Sequence, residues 1–431
     1  MGPRSTATNG RAVNNGLRSM RRPPSAAGST LDSSRRHRPD YWLLVITAVL
    51  LAVGLVVIFS ISPALSAVSR SSSNFYTVRQ LIAIALGLVA LVVAAQVPLH
   101  KWRQWAKPLM AFAAGATLLA LVMPVNPNYP AHRWVRLGSL SFQSVELLKF
   151  AVLVWLAGML ATSIGNGTIR DLKKTLRPIG IVLGVILVIV AGVQSDLGST
   201  GVILLIVGAM LFVAGMPLKR LLLISGIIVL CCAVLIALMP YRRDRLMTYL
   251  HPSSNCQSTS GYQACQALIA VGSGGMAGLG LGSSVQAYGY LPEAANDSIF
   301  AIYAEKFGFI GSVVLLGVFV ALFVRIKQIA ERAPDNFSRL LTVGIFTWFS
   351  VQSLVNIGAM IGVLPLKGIT LPFVSYGGTS IIFALAAIGV LFQISRYTTY
   401  DRQRNGGMTH AGSIDRRRLR GAHNATSGSR D

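Results

Sequence analysis

Apolar residues run along this chain in stretches too long for the core of a soluble fold, with polar residues gathered between them. Near-continuous apolar runs cover 41–62, 76–97, 108–124, 143–162, 178–193, 196–216, 220–240, 297–324, 339–363 and 371–395. A spanning helix needs roughly 20 mostly apolar residues. Hydrocarbon cannot satisfy exposed backbone N–H and C=O groups, so each run reads as a helix. The predicted fold class is all-α: a polytopic integral membrane protein of about ten transmembrane helices, with one large extracytoplasmic loop, 241–296, between helices 7 and 8. Spans five and six are separated only by a tight turn around Gln194-Ser195-Asp196. After the first run, Ala64-Leu65-Ser66-Ala67 mimics a cleavage site. The run from Tyr41 to Ile61 nevertheless exceeds the roughly 7–15 residues of a signal h-region and reads as an uncleaved anchor.

Composition agrees with this pattern. The 431 residues are 53% hydrophobic and only 12% charged, where a soluble domain carries about 25% charge. The net charge of +25 raises the question of nucleic acid. Most basic residues instead sit in the two tails and the short loops, and no basic face with interleaved aromatics appears, which argues against a nucleic-acid partner. Cytoplasmic loops are enriched in Lys and Arg. With a cytoplasmic N-terminal tail, the basic loops fall on alternate sides as this rule requires: Lys101/Arg103/Lys107, Arg170/Lys173/Lys174/Arg177, Lys219/Arg220, Arg325/Lys327/Arg332 and the C-terminal tail. Dropping one span would put the later basic loops outside, so the even count has support beyond hydropathy, and both termini are expected in the cytoplasm.

Residues 1–40 and 401–431 are poor in apolar residues and rich in Ser, Gly and Arg. They are expected to be disordered basic tails flanking a membrane domain at 41–400. The run Arg416-Arg417-Arg418 is a solvated charge run that anionic membrane lipid would attract. Cys256 and Cys265 fall in the outer loop, where either a disulfide or two free thiols fits an oxidising compartment. Cys231 and Cys232 lie within a span and read as packing.

The charges that topology does not explain gather at the outer ends of the spans. Arg242, Arg243 and Arg245 follow the seventh span, and Arg133 and Arg136 precede the fourth. Outer arginines can simply snorkel to the interface. Three within four residues also suit a lipid-linked phosphate or pyrophosphate, which guanidinium groups bind bidentately. Glu146 and Lys149 share a face at the outer end of the fourth span and fit a structural ion pair or a site. Asp196 and Asp297 each precede a span, so helix capping competes with function at both. Glu305 and Lys306 lie two turns deeper, where ionisable groups are costly and usually paired or functional. The glycine-rich stretch 272–282 reads as a flexible segment of the outer loop. It lacks the strand-then-helix context of a nucleotide loop. Ser375-Tyr376-Gly377-Gly378-Thr379-Ser380, after Pro372, allows close helix approach or a broken helix. No HExxH, CxxC or Walker motif is present.

Several of these stretches together carry a family resemblance. They are Gly261-Tyr262-Gln263 with Gln266, Ala270 to Gly275, Tyr290-Leu291-Pro292-Glu293, Asp297-Ser298-Ile299-Phe300-Ala301, Glu305 with Gly308, Leu371 to Ser380, and Gln194-Ser195-Asp196-Leu197-Gly198. In order over about 41–400, they resemble the SEDS (shape, elongation, division, sporulation) family. Lys367-Gly368 with Thr370-Leu371-Pro372, and Gly280 to Gln286, look more like its FtsW-like division branch than its RodA-like elongation branch. The chain departs from the family pattern at Ser144, Val145, Ser195, Ser298 and Lys306.

The resemblance implies a bacterial peptidoglycan glycosyltransferase of the cytoplasmic membrane, acting at the division septum. It would polymerise lipid II on the outer face into a growing glycan strand, with inversion. A class B penicillin-binding transpeptidase and other divisome proteins are the implied partners. Asp297 matches the family's essential aspartate and is the expected general base, as well as a possible ligand for a divalent cation, Mg or Mn. The expected substrate-binding set is Arg133, Glu146, Lys149, Asp196, Arg242, Arg243, Arg245, Gln266, Glu293, Glu305 and Ser375. Two other classes remain open: a lipid II flippase or transporter, and a non-catalytic division scaffold that would tolerate Asp297→Asn. A transporter places substrate-binding charge near the midplane, whereas most of the charge here lies at the outer end.

Overall fold

The computed structural model describes residues 2, 34–36, 38–69, 71–123, 132–137, 140–238, 249, 256, 259–365 and 368–399. The expectations for residues 401–431 and for most of 1–40, for Arg242, Arg243 and Arg245, and for Lys367 lie outside the described residues, as do those for the side chains of Arg136, Cys231 and Cys232, whereas Ser34–Arg36, expected within a disordered tail, form a strand. The helices are α1 (Tyr41–Ser69), α2 (Phe75–Gln96), α3 (Leu99–Val122), α4 (Ser144–Gly165), α5 (Leu172–Val193), α6 (Leu197–Val213) and α7 (Leu218–Leu238). There follow α8 (Thr259–Ser273), α9 (Ile299–Glu331), α10 (Asn336–Met360) and α11 (Gly378–Ser395). Eight of them, α1–α5 and α9–α11, are long and apolar enough to cross a membrane. The 17-residue α6 is apolar but shorter, and the 21-residue α7 is apolar along its length. Together they follow the ten-span plan.

Burial divides the bundle into centre and rim. The most apolar stretches of α11, α4 and α10 are 83%, 67% and 61% buried, against 22–39% for the other five long helices. The outer faces of α1 and α2 expose Val45, Val49, Phe59, Leu81, Val89 and Val93. A helix apolar on every side suits lipid around a packed interior. The heaviest packing joins α11 to α2 and α3 to α4, and α10 lies against α4, α6 and α9. Close approach is built in by small residues. A side-chain carbon at Gly54 of α1 would meet the carbonyl oxygen of Val374 at 2.6 Å, and one at Gly389 of α11 would meet that of Leu91 in α2.

Two short sheets pin the ends. Strand β1 (Ser34–Arg36) pairs antiparallel with β4 (Tyr397–Thr399), Ser34 opposite Thr399, and the Asp40 N–H donates to Ser395 Oγ at 3.1 Å. The entry to α1 and the exit from α11 therefore lie together, as an even number of crossings requires. The hairpin β2 (Trp134–Leu137) and β3 (Leu140–Gln143) leads into α4, and its Gln143 N–H donates to Thr379 Oγ1 at the start of α11.

The loop after α7 departs from the expectation in two ways. It contains α8, which at 15 residues with Gln, Ser and Gly is too short and polar to read as a span. Its glycine stretch is also packed rather than free. Leu279 and Gly280 donate to the carbonyls of Glu305 and Lys306, and Phe309 and Ile310 donate back to those of Gly275 and Met276. Side-chain carbons at Gly274 and Gly278 would collide with the carbonyls of Ala304 and Lys306. Gly308, at φ 66° inside α9, breaks that helix where the loop backbone crosses it. Cys256 and Cys265 form a disulfide that ties the preceding segment to the first turns of α8, which resolves the pair left open by spacing.

Candidate active site

Asp297 ends the turn segment that feeds α9, just ahead of the N-cap, which is Ser298. Ser298 is fully buried and its hydroxyl donates to the Pro292 carbonyl at 3.0 Å. On α8, Gln263 Nε2 donates to Asp297 Oδ1 at 3.3 Å and to Ser298 Oγ at 3.0 Å. On α10, Asn356 Nδ2 donates to the carbonyls of Asp297 at 2.7 Å and Ile369 at 2.6 Å. A side chain built at Gly368 would stand 3.6 Å from Asp297 Oδ2. The carboxylate is half-buried and opens on a small cavity lined by Asp297, Val355, Asn356, Ala359, Met360, Gly368 and Ile369. Asp297 is thus held from α8 and α10.

A buried polar network lies behind it. Lys149, 1% exposed, pairs with Glu146 Oε1 at 2.8 Å, donates to Gln352 Oε1 at 3.1 Å and stands 5.2 Å from the centre of the Trp348 ring. Gln352 also accepts from Trp348 Nε1 at 2.7 Å and donates to the Thr370 carbonyl at 2.8 Å and Thr370 Oγ1 at 3.2 Å. Thr370 in turn lies within hydrogen-bond reach of Ser380 in α11. The ion pair on α4 thereby reaches Thr370, two residues from Gly368, which faces Asp297.

Most of the other described candidates make contacts within the surrounding loops and turns. Arg133 donates through Nε and Nη2 to the carbonyls of Gln194 and Ser195, at 3.0 and 2.8 Å, and so clamps the turn between α5 and α6. Ser195 sits there at φ 53°, a conformation closed to proline. Asp196 caps α6 by accepting from the Ser199 N–H at 3.0 Å. Glu305, wholly buried, accepts from Ser284 Oγ, Val285 N–H and Gln286 N–H at 2.6, 2.9 and 3.2 Å, and Lys306 donates to the Leu281 carbonyl at 2.6 Å. Both deep charges therefore hold the loop that carries Asp297. Ser375 Oγ accepts from the Leu371 N–H at 2.7 Å and closes the turn before α11. Glu293 turns the loop at φ 53° and accepts from Asn296 Nδ2. Gln266 is half-buried on α8, three residues beyond Gln263.

Of the residues expected at the site, the structure builds the centre around Asp297 and sets Glu146 and Lys149 behind it. Lys149, expected in the substrate-binding set or in an ion pair with Glu146, is buried and makes that ion pair. Gln352, Asn356 and Thr370 were missed. The available signal was a pair of amides, Gln352 and Asn356, four residues apart inside a span. Among the described residues no group of three or more His, Cys, Asp or Glu side chains could hold a metal ion.

Comparison with known proteins bears on the chain as a whole. The family model described as cell cycle protein, covering FtsW, RodA and SpoVE, matches residues 41–400. The probable peptidoglycan glycosyltransferase FtsW of Coxiella burnetii is 40% identical over 372 residues, 83% of this chain and 96% of that protein. Stage V sporulation protein E of Bacillus subtilis is 37% identical over 370 residues, 85% of this chain and all of that one. Among solved structures, a chain of a peptidoglycan synthase complex that coordinates polymerization and crosslinking superposes with a TM-score of 0.67 at 29% identity, covering 83% of this chain and 98% of that one. Rod shape determining protein RodA of Thermus thermophilus superposes with a TM-score of 0.60 at 27% identity, covering 83% and 97%.

Proposed function

This chain belongs to the cell cycle protein family of FtsW, RodA and SpoVE, and we propose that it is a multi-pass membrane peptidoglycan glycosyltransferase of the division type, with Asp297 as its general base. The relatives named as FtsW glycosyltransferases support the activity and the branch. The observation that carries the site is the half-buried Asp297, its carboxylate steadied by Gln263 and its own carbonyl clamped by Asn356, beside a small cavity. In the proposed reaction, Asp297 takes the proton from the acceptor sugar 4-hydroxyl of lipid II. The freed oxygen attacks the anomeric carbon of the growing strand from the face opposite the lipid pyrophosphate. One C–O bond forms, the bond to pyrophosphate breaks, and the configuration inverts. A base held within hydrogen-bond reach is worth roughly 10²–10⁴-fold.

The developing pyrophosphate charge requires cations at the outer face. Arg242, Arg243 and Arg245 are assigned that task by their sequence position. The cytoplasmic placement of both tails, the division septum and a class B penicillin-binding transpeptidase as partner belong to the same reading. The partner draws support from the resemblance to a chain of a peptidoglycan synthase complex.

Lipid II transport is the competing reading. It needs free charge deep in the bundle, and Glu305 and Lys306 are both engaged with the loop. The deciding experiment places the purified protein, with its transpeptidase partner, in liposomes holding labelled lipid II. Glycan polymer is the expected product. Lipid II crossing the bilayer with no polymer formed would overturn the enzyme reading.

A further inference from the structure

Gln352 and Asn356 stand one turn apart on α10, inside a span, at 1% and 2% exposure. Amides buried on a membrane helix need hydrogen-bond partners. Both direct their N–H groups at backbone carbonyls of neighbouring segments, Gln352 at Thr370, and Asn356 at Ile369 and Asp297. Asn356 thus joins two stretches, lying 59 residues from Asp297 and 13 from Ile369. A carbonyl fixed at residue 297 holds the backbone of that residue and leaves its carboxylate only two side-chain torsions. The clamp on Ile369 also sets Gly368, the wall that faces Asp297 Oδ2.

Building on the reading of Asp297 as the base, we infer that Asn356 is a positioning residue for that base: it fixes the Asp297 backbone and the facing 368–369 wall in one register, without touching substrate chemistry itself. Displacing a reacting group by about 1 Å can cost on the order of 10²-fold in rate. A residue that acts this way lowers kcat and leaves substrate binding largely intact.

The test uses the full chain in liposomes with fluorescent lipid II, comparing wild type, Asn356→Leu, Asn356→Ser and Asp297→Asn. Each is scored for kcat, KM, lipid II binding and unfolding midpoint. Asn356→Leu removes both donors and is expected to lower kcat about 10²-fold while KM stays within about twofold. Asn356→Ser keeps a shorter donor and is expected to fall between. If the leucine variant does not fold, the serine variant carries the test. An unchanged kcat in a folded variant, or a loss confined to KM, overturns the proposal. Failure of both variants to fold also overturns it, because Asn356 would then be a folding residue. Full activity of Asp297→Asn would instead remove the base assignment on which the proposal rests, and so marks a different failure.

Discussion

The Glu146–Lys149 pair offers a sharp test of the buried network. The two side chains are 5% and 1% exposed and meet at 2.8 Å. Replacing Lys149 by Met leaves the Glu146 carboxylate buried without its counter-ion. It also takes one donor from Gln352, which keeps Trp348 Nε1. Removing one partner of a buried pair typically costs about 3–5 kcal/mol, whereas replacing both by apolar residues of similar volume is neutral or stabilising by about 1–4 kcal/mol. Lys149→Met should therefore lower the unfolding free energy by about 3–5 kcal/mol, and Glu146→Leu/Lys149→Met should recover it to wild type or above. Equilibrium unfolding in mixed micelles, followed by tryptophan fluorescence, measures both. Turnover by the double variant should stay below wild type, because the link from Lys149 to Gln352 and on to Thr370 is gone. A double variant no more stable than the single one would refute the argument that an uncompensated buried charge sets the cost.

Three further outcomes are expected. Reducing the Cys256–Cys265 disulfide frees the segment before α8, which carries Gln263 to Asp297. Glycan synthesis should fall under a membrane-permeant reductant. An unchanged rate with both thiols labelled would separate the bridge from the site. Gly278→Ala should destabilise the protein more than Gly280→Ala. Both residues have positive φ, but only at Gly278 would the new carbon strike the Lys306 carbonyl, and paired melting curves that coincide would contradict this. Glu305→Gln should slow turnover and raise proteolysis within 279–298, since a neutral amide holds Ser284, Val285 and Gln286 less firmly than the carboxylate does. Wild-type proteolysis of that variant would show that Glu305 does not anchor the loop.

The membrane plan was legible because lipid leaves the backbone few options, and runs such as 41–62 and 76–97 state it without help from tertiary contacts. The α8 helix was not legible, since its stability comes from packing against α9 and α10 and not from its own composition. The charged residues could be named, but their tasks depended on contacts distant in sequence. Lys149 and Gln352 are 203 residues apart, and Gln263 and Asp297 are 34 apart. Spacing alone left Asp196 and Asp297 equivalent as potential caps. The structure separates them: Asp196 caps α6, while Asp297 lies outside the cap position of α9. The glycines at 274 and 278 read as freedom, and they prove to be the absence of a side chain where two backbones touch.

The central claim is that Asp297 accepts the proton in glycan transfer. It is tested most directly by comparing turnover and lipid II binding for wild type and Asp297→Asn, matched for folding and amount, with the proposed transpeptidase partner present. The account predicts equal binding and a loss of polymerisation on the order of 10²–10⁴-fold in the variant. Polymer formed by Asp297→Asn at the wild-type rate would contradict it.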